Sequence, residues 1–195
     1  MNVAFTRAAD GLPRRAFTVE DIDRMIEAGV IGENERFELI EGDFVMMSAK
    51  HAGHDRIKHA LTMALVRASP RDVYVGVEAS LQLAPDVLVE PDITVISRSA
   101  YKVDPKTFVQ PRPEDLLLLI EIAASSLSYD RGVKARLYAR LGIREFWVID
   151  ANEQVTWIYT GPTRGGWSSI SERSPNELLT TPALPDFSIR LRDID

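Results

Sequence analysis

Apolar positions along this chain switch repeatedly between helical and strand spacing, and the switches mark out its elements. "FTVEDIDRMIEAG" from residue 17 sets Ile22, Met25 and Ile26 on one helical face. Thr18 is the N-cap, Glu20 and Asp21 occupy the first turn, and Gly29 or Gly32 ends the helix. "RFELIEGDFVMMS" follows as two short apolar runs around Glu41-Gly42-Asp43, which reads as a β-hairpin. Residues 51–68 return to helical spacing through Ile57, Leu61, Ala64, Leu65 and Ala68, and Pro70 closes that helix. "DVYVGVEASLQL" alternates as a strand or bent strand pair, and "EPDITVIS" is a short strand entered through Pro91. After a loop holding Pro105, Pro111 and Pro113 comes "DLLLLIEIA", a nearly continuous apolar strand. "SYDRGVKARLYARLG" is a helix striped by Val133, Leu137 and Leu141. "REFWVID" is a strand, and "QVTWIYT" with "GWSSIS" forms a final hairpin or meander.

From 51 to 150 the order is helix, two or three strands, helix, strand. A strand as uniformly apolar as 116–123 is one covered on both faces, so the expected class is a layered α/β (α+β) domain. Residues 1–16 read as a flexible arm and 17–195 as one domain. The first residues lack a continuous apolar h-region, and no apolar run approaches the roughly 18 residues of a membrane helix. The expectation is a cytoplasmic protein with no membrane partner.

Composition narrows the chemistry. With no cysteine, disulfides, zinc–thiolate sites and thiol nucleophiles are excluded. The net charge of −6 argues against a protein that coats nucleic acid, so any such contact has to come from a local patch. One patch is visible: Arg131, Lys134, Arg136, Arg140 and Arg144 crowd residues 129–144 against the single acid Asp130. It is either a solvated helix face or a contact for backbone phosphates.

The strand 116–123 carries one carboxylate, Glu121. An ionised glutamate is costly to strip of water unless a cation, a base or hydrogen bonds compensate it. Alternation puts Leu117, Leu119 and Glu121 on one face and Leu118, Ile120 and Ile122 on the other. Asp92 opens the preceding strand. If the two strands are neighbours, Asp92 and Glu121 converge near one strand end and make an oxygen-rich site for a hard cation such as magnesium. Asp92 is otherwise a turn residue, and Glu121 otherwise pairs with an arginine. Lys134, on the next helix, either pairs with Asp130 or points back over the strand ends, where it orients water and stabilises an anionic transition state. His51, His54 and His59 spread over too wide an arc for a metal triad. His54 is nonetheless near enough to the helix start to reach a cleft.

These blocks together resemble the bacterial "putative restriction endonuclease" group within the PD-(D/E)XK nuclease superfamily. The carrying pieces are "FTVEDIDRMIEAG", "ERFELIEGDFVMMS", "EPDITVIS", "LLLLIEIAASSLSYDRGVKARLYARLGIREFWVID" and "LPDFSIRL", in family order from about 17 to 191. The resemblance implies a restriction-endonuclease-like core, α-β-β-β-α-β, with an N-terminal helix and hairpin and C-terminal strands. It implies that Asp92 and Glu121 are magnesium ligands, with manganese a substitute, and that Glu38 is an additional acid. The superfamily's usual lysine lies two positions after the second acid. Here that position is Ala123, and Lys134 on the next helix matches the cation instead.

The function implied is magnesium-dependent hydrolysis of phosphodiester bonds in DNA. Its catalytic residues are Asp92, Glu121, Lys134 and Glu38, and its substrate-binding candidates are Arg131, Arg136, Tyr138 and His54. A nuclease-like fold that binds nucleic acid or a protein partner without cutting is the competing reading, motivated by the acidic charge and by Ala123. A third is an oligomerisation domain, which predicts an arginine on Glu121 and an Asp92 turned away from it. Trp157, Tyr159 and Trp167 on the terminal strands offer an apolar edge for a homodimer.

Overall fold

The computed structural model describes residues 5–7, 13–32, 35–47, 50–101 and 107–194; residues 1–4 and 8–12 of the expected arm, and Pro105 of the expected loop, lie outside them. Strands β1 (Phe5–Arg7) and β2 (Pro13–Arg15) pair antiparallel, so part of the segment read as a loose arm is a two-stranded ribbon. Helix α1 (Val19–Glu27) begins where the sequence places its cap. The Asp21 N–H donates to Thr18 Oγ1, and the Thr18 N–H donates back to Asp21 Oδ2, a reciprocal capping box. Its buried row is Val19 and Ile22, with Met25 packed behind. Ile26 is 47% exposed, contrary to the sequence reading, because the inward face follows the i, i+3 row and leaves the i+4 position rotated toward water.

Strands β3 (Phe37–Ile40) and β4 (Asp43–Met46) form the expected hairpin. Its two turn residues, Glu41 and Gly42, both take positive φ, at 52° and 85°, as a tight two-residue hairpin turn requires. Helix α2 (Ala52–Ala68) follows, then β5 (Val73–Val77) and β6 (Leu81–Ala84). The sequence joins these last two into one strand or a bent pair, whereas the structure assigns them to different sheets. The break falls at Glu78, whose φ of 51° ends extended geometry. Strands β7 (Val87–Val89), β8 (Ile93–Ser97) and β9 (Leu116–Ala123) come next. The crossover helix is composite: α3 (Leu127–Tyr129), a π-helical turn (Asp130–Lys134) and α4 (Ala135–Arg140). The chain finishes with β10 (Glu145–Asp150), β11 (Thr156–Thr163), β12 (Gly166–Arg173), β13 (Leu179–Thr181) and β14 (Leu184–Ile189).

Contacts partition the chain into two compact units. The first comprises residues 1–49, 80–90 and 105–110. Within it a four-stranded sheet in the order β4-β3-β7-β6 shares a small core with α1, built on Val19, Ile22, Ile31, Leu39 and Leu88. The second unit comprises residues 50–79, 91–104 and 111–195, and contains a six-stranded sheet in the order β12-β11-β10-β9-β8-β5.

In that larger sheet only β9 and β10 run parallel, joined by the crossover helix; the other neighbours are antiparallel. Leu118, Ile120 and Ile122 of β9 face α2, packing with Ile57, Leu61 and Leu65 and with Trp147 of β10. Helix α4 is tied to the sheet through Tyr138, whose ring meets Phe146 edge-on at 4.9 Å between centroids. Trp167 Nε1 donates to the Ala135 carbonyl at 2.7 Å. The order α2-β5-β8-β9-α3/α4-β10 is the expected α-β-β-β-α-β core. Of the aromatic residues on the terminal strands, Tyr159 is buried, and its ring and that of Trp167 lie against Phe146. Among the described residues no helix is long and apolar enough to cross a membrane.

One glycine tests the first unit. A Cβ on Gly42 would fall 2.6 Å from Ala16 Cβ and 3.0 Å from its Cα, at a φ that side chains resist. We expect Gly42→Ala to destabilise that unit by about 1–3 kcal/mol, read as a lower urea midpoint with an unchanged m value.

Candidate active site

Asp92 and Glu121 stand side by side because of strand register. Ile93 of β8 pairs with Ile120 of β9, so in an antiparallel ladder the preceding residue, Asp92, stands opposite Glu121. The Asp92 carboxylate then bends onto its neighbour strand, where Oδ2 accepts the Ile122 N–H at 2.8 Å. Both acids are almost fully buried, at 5% exposure each.

Each acid has its own cation. Lys134 Nζ lies 3.0 Å from Glu121 Oε1, and the Tyr138 hydroxyl donates to the same oxygen at 3.0 Å. The two donors are four residues apart and share one helical face. Lys134 closes the π-helical turn, an irregularity that recurs in helices where a side chain has to be aimed. Lys134 is thus turned inward, and the carboxylate of Glu121 has an ammonium partner.

On the other acid, Lys50 Nζ and His54 Nε2 each lie 2.9 Å from Asp92 Oδ1. His54 is buried in the first turn of α2. Burial works to raise the Asp92 pKa. The hydrogen bond and charge of His54, the Ile122 N–H and Lys50 outweigh it, holding the carboxyl at about 2 rather than 3.8.

Glu78 and Lys58 complete the cluster, and the sequence reading missed them together with Lys50. Glu78, at the end of β5, accepts from Lys50 and from Lys58, each at 2.5 Å, and its N–H donates to the Asp92 carbonyl at 3.2 Å. Burial again opposes ionisation, and the two ammonium groups overcome it, placing Glu78 at about 2. Lys50, Lys58 and Glu78 have no spacing that marks them in sequence; the pairing of β5 with β8 brings Glu78 to Asp92, and the two lysines come from α2 and the residues just before it.

Arg131 is exposed and stacks its guanidinium over the Trp157 ring at 3.8 Å. Arg136, Arg140 and Arg144 are exposed as well, which leaves the basic ridge facing solvent. Glu38 belongs to the other compact unit. It is 3% exposed on β3, where Oε1 accepts the Glu90 N–H at 2.9 Å.

The donor set tests whether a metal fits. Asp92 and Glu121 offer hard carboxylate oxygens, the ligand type of magnesium and manganese. Among the described residues no group of three or more His, Cys, Asp or Glu is arranged to hold an ion. Two carboxylates with water as the remaining ligands is a pattern magnesium accepts, so the residues present fit that ion and do not suit zinc.

The core of the second unit places this chain in the restriction-endonuclease-like class of folds. A profile of the Uma2 family, described as "Putative restriction endonuclease", matches residues 19–192, and the chain belongs to that family. Its fold is similar to that of a "putative nuclease belonging to DUF820" from Anabaena variabilis. The TM-score is 0.69 at 18% identity, over 91% of this chain and 97% of that one. No curated protein is detectably similar to the chain.

Two stability predictions follow from the burial of these charges. Removing the ammonium from a buried ion pair takes away the counter-charge that offsets desolvation, so Lys134→Met is expected to cost about 3–5 kcal/mol. Adding Glu121→Gln to Lys134→Met should recover part of that loss in urea unfolding. For Asp92, a folded pKa below the unfolded value means stability that is complete above about pH 4 and lost as pH falls through 2. Asp92→Asn should flatten this acid limb, measured with EDTA present.

Proposed function

We propose that this protein is a magnesium-dependent endonuclease that hydrolyses phosphodiester bonds in DNA. The observation that carries the reading is the pair of buried acids on adjoining strands with Lys134 seated against Glu121 at 3.0 Å. Family membership and the fold of the Anabaena relative support it. Asp92 and Glu121 are the residues that would hold the ion, with manganese as a substitute. When bound, such an ion supplies Lewis-acid polarisation of a phosphoryl group.

The chain's own residues do the rest. The Tyr138 hydroxyl fixes the Glu121 carboxylate from the helix side, so the acid's orientation does not depend on the loops around it. Lys134 brings a positive charge that a buried setting makes effective: charge built up on the phosphorus oxygens in the transition state is stabilised by a preoriented ammonium. The Ile122 N–H and His54 hold Asp92 ionised and in place. The resemblance adds Glu38, and the basic ridge of residues 129–144 adds Arg131 and Arg136, as subsidiary candidates; the reading stands without them.

A second reading, binding of nucleic acid without turnover, is favoured by one observation: each acid is already matched by an ammonium group. Incubation of supercoiled plasmid with magnesium, with manganese and with EDTA separates the two. Nicking should require the divalent ion and fall at least about a hundredfold in Glu121→Gln and in Lys134→Met, provided the variants are shown to be folded. Undiminished nicking by Glu121→Gln refutes the site. DNA retention with no product under any of these ions establishes the second reading instead.

A further inference from the structure

Lys50, Lys58 and Glu78 form an arrangement that goes beyond what holding Asp92 requires. Both ammonium groups converge on the same Glu78 oxygen, Oε1, at 2.5 Å each. The lysine side chains are only 17% and 16% exposed, and each has a second carboxylate partner, Asp92 for Lys50 and Asp55 for Lys58, whereas Glu78 keeps 27% of its side chain open to water. The Glu78 backbone is fastened to the Asp92 carbonyl, which ties this group to the strand carrying the acid. His51, the N-cap residue of α2 between Lys50 and Lys58 in sequence, makes no side-chain cap hydrogen bond.

Two preoriented ammonium groups around one anionic oxygen is also the geometry with which proteins grip a phosphate oxygen. We propose that Lys50 and Lys58 form a phosphate subsite beside the acid pair, which a backbone phosphate of the nucleic acid occupies by displacing the Glu78 carboxylate. Glu78 is then a resident anion: it holds the two lysines in place and keeps the charge balanced until substrate arrives. The more open carboxylate is the group that moves, and the more buried lysines are the groups that stay. This rests on the nuclease reading for the identity of the ligand, and deepens it by naming where the phosphate sits.

The sign of one substitution separates this from a structural ion cluster. Binding of a short fluorescein-labelled DNA duplex is followed by anisotropy in EDTA across a salt series, with each variant checked by circular dichroism and urea unfolding. Lys50→Met and Lys58→Met should each weaken binding about tenfold and lower the salt slope by about one. Glu78→Gln, which removes the competing anion, should tighten binding several-fold even as it loses two ion pairs. Wild-type affinity and slope in the lysine variants, or a folded Glu78→Gln that binds no more tightly, overturns the subsite. Should Glu78→Gln fail to fold, titration of the wild-type protein with inorganic phosphate decides by NMR. Shifts at the Lys50 and Lys58 ε-methylene signals support the subsite, and their absence overturns it. Plasmid nicking keeps the two readings apart. Cleavage with lysine-independent binding sinks the subsite alone, and lysine-dependent binding without cleavage sinks the nuclease reading alone.

Discussion

The structure of the larger unit depends on how a carboxylate is kept charged inside a strand covered on both faces. Glu121 sits at the centre of the six-stranded sheet, where leaving it unpaired would cost several kcal/mol. The answer is geometric. A parallel β9–β10 pair needs a crossover helix, and that helix lies over the face to which Glu121 points. Lys134 and Tyr138, one turn apart on it, then reach the same oxygen. The connection that closes the fold is therefore the element that delivers the compensating charge.

A second buried glutamate shows that this is not how every acid in the sheet is treated. Glu145 opens β10 and receives only neutral donors among its described bonds, Trp147 Nε1 and the Thr181 hydroxyl, each at 2.7 Å. Burial accordingly raises its pKa, even with those two hydrogen bonds lowering it. The contrast separates a polar group that fastens β10 to the C-terminal hairpin from the acids around which positive charge has been gathered. Perturbed ionisation alone would not distinguish them; the kind of partner does.

Around Asp92 the charges form a chain rather than a pair. Lys50 bridges Asp92 and Glu78, and Lys58 touches Glu78 and Asp55. Opposed charges at this spacing hold the Asp92 and Glu78 carboxyls below their ordinary values, against the effect of burial. Lys50, Lys58 and Lys134 bring positive charge to the neighbourhood of the two acids in a protein whose net charge is −6.

Sequence alone determined the elements whose signals are local. Thr18 with Asp21 caps α1, Glu41-Gly42 turns the hairpin, and the apolar run 116–123 is the central strand, because capping, turn geometry and side-chain period act over a few residues. It also singled out Asp92, Glu121 and Lys134, since a charge inside an apolar run announces itself. Tertiary structure alone decided what is long-range: that β5 and β6 part at Glu78, that Ile26 faces water, that Arg131 stacks on Trp157, and that Lys50, Lys58 and Glu78 gather at Asp92. Those outcomes hang on strand register, and register is fixed by the burial of whole faces at once, so no short stretch of residues carries it.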